Sequence, residues 1–259
     1  MFDLREKSIL VTGGAGHLGS EISLSLANCG AVVYALGRDA SRLASLESRA
    51  KLLALNNLIT KKVDVRDQRV FSEFIHDEIL QGGSALDVLI NNASSSGREN
   101  WEDLELEGWR EALKGSLEHY FTCSKIAGRV FLSQGHGNIV NTASLFSFMA
   151  PYFPMHFELK NAASAHHVVA KGGILQLTRY LATLWAERGI RVNCVSPGYF
   201  PKKRGPDNPD YMREVCSRIP MGRIGSPSEV SGAYVFLCSN ASSYVTGQNI
   251  VVDGGYSLW

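Results

Sequence analysis

The chain has 259 residues, with 26 Lys+Arg against 25 Asp+Glu, 45% hydrophobic and 20% charged. That is the composition of an ordinary globular protein of roughly one to two domains. The formal net charge of +1 lacks the basic bias of a dedicated nucleic-acid binder, and no apolar run approaches the roughly 18 residues of a membrane span, so neither partner is expected. The N-terminal stretch MFDLREKSILVTGG has acids and bases ahead of its first apolar run and no small-residue cleavage site, so no signal peptide is expected. Five cysteines (29, 123, 194, 216, 238) form no CxxC pair and read as thiols of a reducing compartment. The expected setting is cytoplasmic.

Along the chain, short β-branched runs predict strands at Ser8–Thr12, Ala31–Leu36, Lys61–Val65, Leu86–Ile90, Asn138–Thr142, Ile190–Val195 and Asn249–Val252. Several are continuously apolar, as in strands buried on both faces of a parallel sheet. Helical spacing fills the intervals. Leu18, Ile22 and Leu26 recur every fourth residue ahead of Gly30, a C-terminal signal, and Leu43, Leu46, Ala50 and Leu53 form the next face. A further helix is predicted over Glu107–Phe121. Such alternation specifies βαβ units and a doubly wound α/β sheet of Rossmann type. Pro-rich stretches at 150–154 and 197–209 fall between elements as surface loops, and no linker or repeat divides the chain, so residues 1–259 read as one domain.

The first predicted strand runs into Gly13-Gly14-Ala15-Gly16-His17-Leu18-Gly19 and a helix follows. This order aims free backbone N–H groups and the positive end of the helix at one point, which suits a pyrophosphate. At the end of the second strand an acid would bond a ribose 2′-OH and a base would pair with a 2′-phosphate. The chain has Leu36-Gly37-Arg38-Asp39 there, so Arg38 favours NADP(H) over NAD(H). Asp39 also reads as a helix N-cap.

With these pieces placed, the chain resembles the short-chain dehydrogenase/reductase family along essentially its whole length. The matching stretches are TGGAGHLG at 12–19, DV at 64–65, NNAS at 91–94, IVNTAS at 139–144, KGGILQLTR at 171–179, IRVNCVSPG at 190–198 and YVTGQNIVVDGG at 244–255. The resemblance implies a nicotinamide cofactor, a small-molecule substrate, and a homo-oligomer, a tetramer or dimer. It puts Gly13, Gly16, His17, Leu18 and Gly19 on the pyrophosphate, Asp64 and Val65 beside the adenine, and Asn91 and Ala93 beside a ribose. It assigns Lys171 to the nicotinamide ribose and Pro197-Gly198 to the nicotinamide itself.

The family works with an Asn-Ser-Tyr-Lys set. Ser144 matches the serine and Lys171 the lysine, but the tyrosine position four residues before the lysine holds His167. Counting from Trp109 puts Ser116 at the asparagine position, and His17 stands where a second glycine is usual. Residues 167 and 171 share a helix face about 6 Å apart along the axis, so the pairing geometry is expected to survive. A neighbouring ammonium lowers a histidine pKa from about 6.5, leaving a neutral ring that accepts a proton better than it donates one. Alcohol oxidation is therefore expected to be better supported than carbonyl reduction. An imidazole reaches roughly 2 Å less far than a phenol, and misplacement on this scale costs about 100-fold or more, so a bridging water or a deeper substrate is required.

The stretch between Ser144 and His167 is longer than the family norm, and a lid or subunit contact is expected over about 145–166. It carries Tyr152 and His156, candidates for the missing acid/base and for substrate contact, together with an aromatic face that buries apolar area. A metal site from His156, Glu158, His166 and His167 has no recognisable ligand spacing, so no metal is expected. A substrate loop is expected over about 199–220, where Lys202, Lys203 and Arg204 read either as a selector for an anionic, sugar-like substrate or as a solvated basic turn. Two functional readings result: an NADP(H)-dependent oxidoreductase centred on Ser144, His167 and Lys171, and a catalytically impaired binding or regulatory subunit of the same fold. A serine hydrolase is set aside, because no GxSxG elbow is present.

Overall fold

The computed structural model describes residues 2–94, 101–153, 164–202 and 209–259. Seven strands form one parallel sheet: β1 (Ser8–Thr12), β2 (Val32–Gly37), β3 (Leu58–Lys62), β4 (Val88–Asn91), β5 (Gly137–Thr142), β6 (Ile190–Pro197) and β7 (Asn249–Val252). Their order is β3-β2-β1-β4-β5-β6-β7, so the chain reverses its direction of winding between β1 and β4. Open sheets bind ligands at that point, outside the carboxyl ends of the strands.

Six strands lie within two residues of their predicted positions. The third is shifted by three residues: Leu58 to Lys62 pair with Val33 to Gly37, so the expected Lys61–Val65 run overlaps the strand only at Lys61 and Lys62, and Val63 to Val65 lie past its end. Val63 and Val65 misled because they are buried, packing against Phe71 and Leu89 as the chain departs.

The helices are α1 (His17–Asn28), α2 (Ala40–Leu52), α3 (Gln68–Phe74), α4 (Leu106–Leu113), α5 (His119–Gln134), α6 (Ala165–Trp185), α7 (Pro209–Ser217) and α8 (Pro227–Cys238). Side chains alternate across the sheet and give it two cores. On one face Ile9, Val11, Val33 and Ile90 meet Ile22 and Leu26 of α1 and Tyr234 and Leu237 of α8. On the other, Leu10, Leu36, Leu89 and Ile139 meet Phe74 of α3, Phe131 of α5 and Trp185 of α6. Continuously apolar strands are thereby covered on both sides. The α1 C-terminus closes as expected: Ala31 N–H bonds the Leu26 carbonyl, Gly30 N–H bonds that of Ala27, and Gly30 takes φ 98°. Leu53 does not extend the buried face of α2, being exposed just past the helix end. The predicted helix over Glu107–Phe121 is real but irregular, because the π-helical turn Lys114–Glu118 joins α4 to α5. Among the described residues no helix is long and apolar enough to cross a membrane.

Candidate active site

A cleft of about 750 Å³ opens at the switch point, within the usual size of a small-ligand site. One wall is the glycine loop. The Thr12 hydroxyl accepts the N–H groups of Asn92 (2.9 Å) and Ala93 (3.1 Å), while the Asn92 amide donates to the carbonyls of Thr12 and Gly13. This lacing holds the β1 and β4 ends so close that a Cβ on Gly13, itself at φ 63°, would lie 2.8 Å from Ala93 Cα. The N-cap of α1 is Gly16, with no side-chain cap and no acid in the first turn, so the positive helix end is left for an anion. Gly13, Gly16, His17 and Leu18 line this part of the cleft.

Beyond β2 the cleft is lined by charged groups. Asp39 caps α2 by accepting the N–H groups of Ser41 and Arg42, which fixes Arg42 in the first turn beside Arg38. Asp64 receives Arg66 on both carboxylate oxygens (3.0 and 2.6 Å) and lies 3.9 Å from Arg38. Its carboxyl is held below the ordinary range, first by the Arg66 hydrogen bond and then, more weakly, by the Arg38 charge. The glycine turn, the open helix end and these guanidinium groups fit the phosphates of a nicotinamide dinucleotide.

The opposite end gathers Ser144, His167 and Lys171, from the tip of β5 and from α6. Ser144 starts a tight turn: its Oγ accepts the Phe146 N–H (3.2 Å), and its own N–H donates to Ser147 Oγ (3.0 Å). Ser144 lines the cleft, and its Oγ, which accepts one backbone N–H, retains a proton to donate. Lys171 Nζ donates to the Thr142 carbonyl (2.6 Å) and toward the Tyr120 hydroxyl (3.4 Å), which donates to the same carbonyl. Burial without a carboxylate partner pushes the Lys171 ammonium down to about 7. His167 is lowered to about 4, chiefly by burial, then by Lys171 and His166, so its ring is neutral at physiological pH. The expected direction holds, but desolvation outweighs the lysine charge.

Below the site, a chain of buried amides and hydroxyls ties the helices to the sheet. Asn91 donates to Ser124 of α5 and Asn141 of β5, and Asn141 donates to Thr178 of α6 (2.9–3.0 Å). Asn91 is therefore a brace and not a cleft residue, because its side chain is turned into the core. Gly19 likewise lies outside the cleft, packed under the glycine loop with no room for a side chain.

Arg38, Asp64, Val65, Ala93, Pro197, Gly198 and Lys202 line the cleft as expected. Ser116 does not: it is fully buried and its hydroxyl returns to the Ala112 carbonyl (2.5 Å). Tyr152 is not among the lining residues either, its exposed ring stacking under the Arg218 guanidinium at 3.9 Å. His156, Lys203 and Arg204 lie outside the described residues. Sequence reasoning missed Arg42, Arg66 and His119 as lining residues. The Asp39 cap signal, three residues before Arg42, was the one legible pointer among them. Among the described residues no group of three or more His, Cys, Asp or Glu side chains gathers around a possible metal position.

The family profile described as enoyl-(acyl carrier protein) reductase matches residues 14–257. The chain is 33% identical to the 2-dehydro-3-deoxy-D-gluconate 5-dehydrogenase of Bacillus subtilis, over 98% of this chain and 96% of the relative. It is 32% identical to the gluconate 5-dehydrogenase of Gluconobacter oxydans, over 100% and 97% of the two chains. Its fold superposes on the crystal structure of a Burkholderia cenocepacia gluconate 5-dehydrogenase in complex with NADP and tartrate, with TM-score 0.86 and 28% identity over 100% and 98% of the two chains. The chain belongs to the short-chain dehydrogenase/reductase family. It is an oxidoreductase.

Proposed function

We propose that the protein is an NADP(H)-dependent oxidoreductase that interconverts a secondary alcohol and a ketone on a polar, sugar-like substrate, with His167 exchanging the hydroxyl proton. The observation that carries this reading is the convergence of Ser144, His167 and Lys171 on a cleft whose other end is a glycine turn at an uncapped helix N-terminus.

Each residue has a definable task. Ser144, whose Oγ already accepts a backbone N–H, donates its proton to the substrate oxygen and fixes that oxygen near the His167 ring. Neutral His167 takes the hydroxyl proton as the carbonyl forms. Lys171 is held by the Thr142 carbonyl and the Tyr120 hydroxyl and keeps one further donor for a ribose hydroxyl. Arg38 and Arg42 receive the 2′-phosphate. When bound, the nicotinamide accepts or supplies the hydride. Lys202, at the start of the substrate loop, suits an anionic group such as a sugar acid carboxylate, in keeping with the sugar-acid names of the two relatives.

A panel of sugar acids and polyols assayed with NADP⁺ and NAD⁺ tests the reading. Turnover of a sugar acid with NADP⁺, weakened by Lys202→Ala through KM and not kcat, is the expected result. Tight NADP⁺ binding with no turnover of any member would refute it.

A further inference from the structure

His17 stands in the glycine turn where a second glycine is usual, and nothing in the proposed chemistry uses its ring. It is the first residue of α1, half-buried at the phosphate end of the cleft. Its φ is negative, so the turn has no need of glycine at this position. The side chain reaches across the molecule: Nε2 lies 2.9 Å from the carbonyl of Phe200, 183 residues further along the chain. A carbonyl only accepts, so Nε2 carries a proton and donates it.

Phe200 belongs to the stretch that leads from the end of β6 to Lys202. Other contacts hold this stretch from β7 and from the approach to α8. Gly198 N–H bonds the Val252 carbonyl (2.9 Å), and the Tyr199 carbonyl accepts the Gly225 N–H (3.0 Å). The Phe200 ring covers Gly225 so closely that no Cβ fits there. The His17 bond adds a hold from the glycine turn. The oxygen it grips belongs to the Phe200–Pro201 peptide. The proline ring locks its own φ and restrains the residue before it. Fixing that carbonyl therefore fixes the direction in which the chain leaves for Lys202, two residues on and in the cleft lining.

We propose that His17 is a positioning residue for the substrate. Its hydrogen bond to the Phe200 carbonyl ties residues 197–202 to the phosphate turn, and so sets where the Lys202 ammonium meets the anionic end of a sugar acid. Loss of the bond reaches the substrate through Lys202, while Ser144, His167 and Lys171 keep their own supports on β5 and α6. The task of Lys202 rests on the oxidoreductase reading above; the hold of His17 on the chain does not.

Amide hydrogen exchange of the coenzyme-free protein reads that hold at Gly198 and Gly225. His17→Leu, which fills space without a donor, is expected to speed exchange at both by about 3- to 10-fold, the range of one hydrogen bond, with the Gly30 amide at the end of α1 unchanged. His17→Gln, whose amide nitrogen lies as many bonds from Cα as Nε2 does, is expected to restore parental exchange. Parental exchange in His17→Leu, equal acceleration in His17→Gln, or acceleration that extends to Gly30 would overturn the proposal, whatever the protein turns over. In turnover of a sugar acid at saturating NADP⁺, His17→Leu is expected to raise KM by about 3- to 10-fold, more than it lowers kcat, and to add little to Lys202→Ala in the double variant. Full additivity of the two substitutions in KM, or a loss confined to kcat, would contradict the assignment.

Discussion

At position 167 a histidine stands in a pocket that disfavours its charge. The unfolded chain binds a proton there near pH 6.5, whereas the folded ring resists until about 4. Its stabilising contribution is therefore complete above about pH 6.5 and is lost as pH falls through that interval toward 4. For a ring partly open to the cleft the loss is about 2–3 kcal/mol. His167→Gln, which cannot titrate, should show a shallower fall in thermal midpoint between pH 6.5 and 4 than the parent. Equal slopes would mean that the ring is not desolvated. A second consequence concerns direction. A phenol keeps its proton at neutral pH and the depressed imidazole does not, so His167→Tyr should raise the ratio of ketone reduction to alcohol oxidation at pH 7. Initial rates in both directions measure that ratio.

Among the elements, the glycine turn and the helix over 106–134 behaved differently when read from residues alone. Strand, glycines and helix in that order left little choice, because the turn needs a residue at φ 63°, which Gly13 supplies. Gly13→Ala should accordingly weaken NADP⁺ binding, since its Cβ would crowd Ala93 Cα at 2.8 Å. The strained backbone should also cost about 1–3 kcal/mol of stability. Fluorescence titration and thermal melts read the two effects separately. The longer helix hid its π turn. One extra residue per turn over five positions alters apolar spacing too little to be seen, yet it decides which side chains face the cleft. Counting from Trp109 therefore reached Ser116, whereas the cleft receives Gly115 and His119. Tyr152 failed for another reason: spacing says nothing of a distant Arg218 that offers its guanidinium to the ring.

Across the whole molecule, strand–helix alternation was enough to specify a parallel sheet, because strands apolar on both faces must be covered on both. Strand order fixes the cleft at the β1/β4 switch, and the motifs bring Arg38, Asp64, Ala93, Ser144, His167 and Lys171 to its lining. The third strand slipped because burial and strand pairing are separate properties: Val63 and Val65 are buried yet lie past Lys62, the last paired residue. Coenzyme choice is a property of this assembled surface, where α2 and the β3 exit meet. NADP⁺ should raise the melting temperature more than NAD⁺ at equal concentration, since stabilisation follows the logarithm of occupancy. Arg38→Ala combined with Arg42→Ala should abolish that difference. A larger shift with NAD⁺ would reverse the coenzyme assignment.

The proton acceptor is tested most directly by chemical rescue. His167→Ala should bind NADP⁺ as the parent does and lose about 100-fold or more of its alcohol oxidation. Free imidazole should then restore the rate in proportion to its concentration at pH 7. A His167→Ala enzyme that oxidises its alcohol at the parental rate, with no response to imidazole, would show that another group carries the proton.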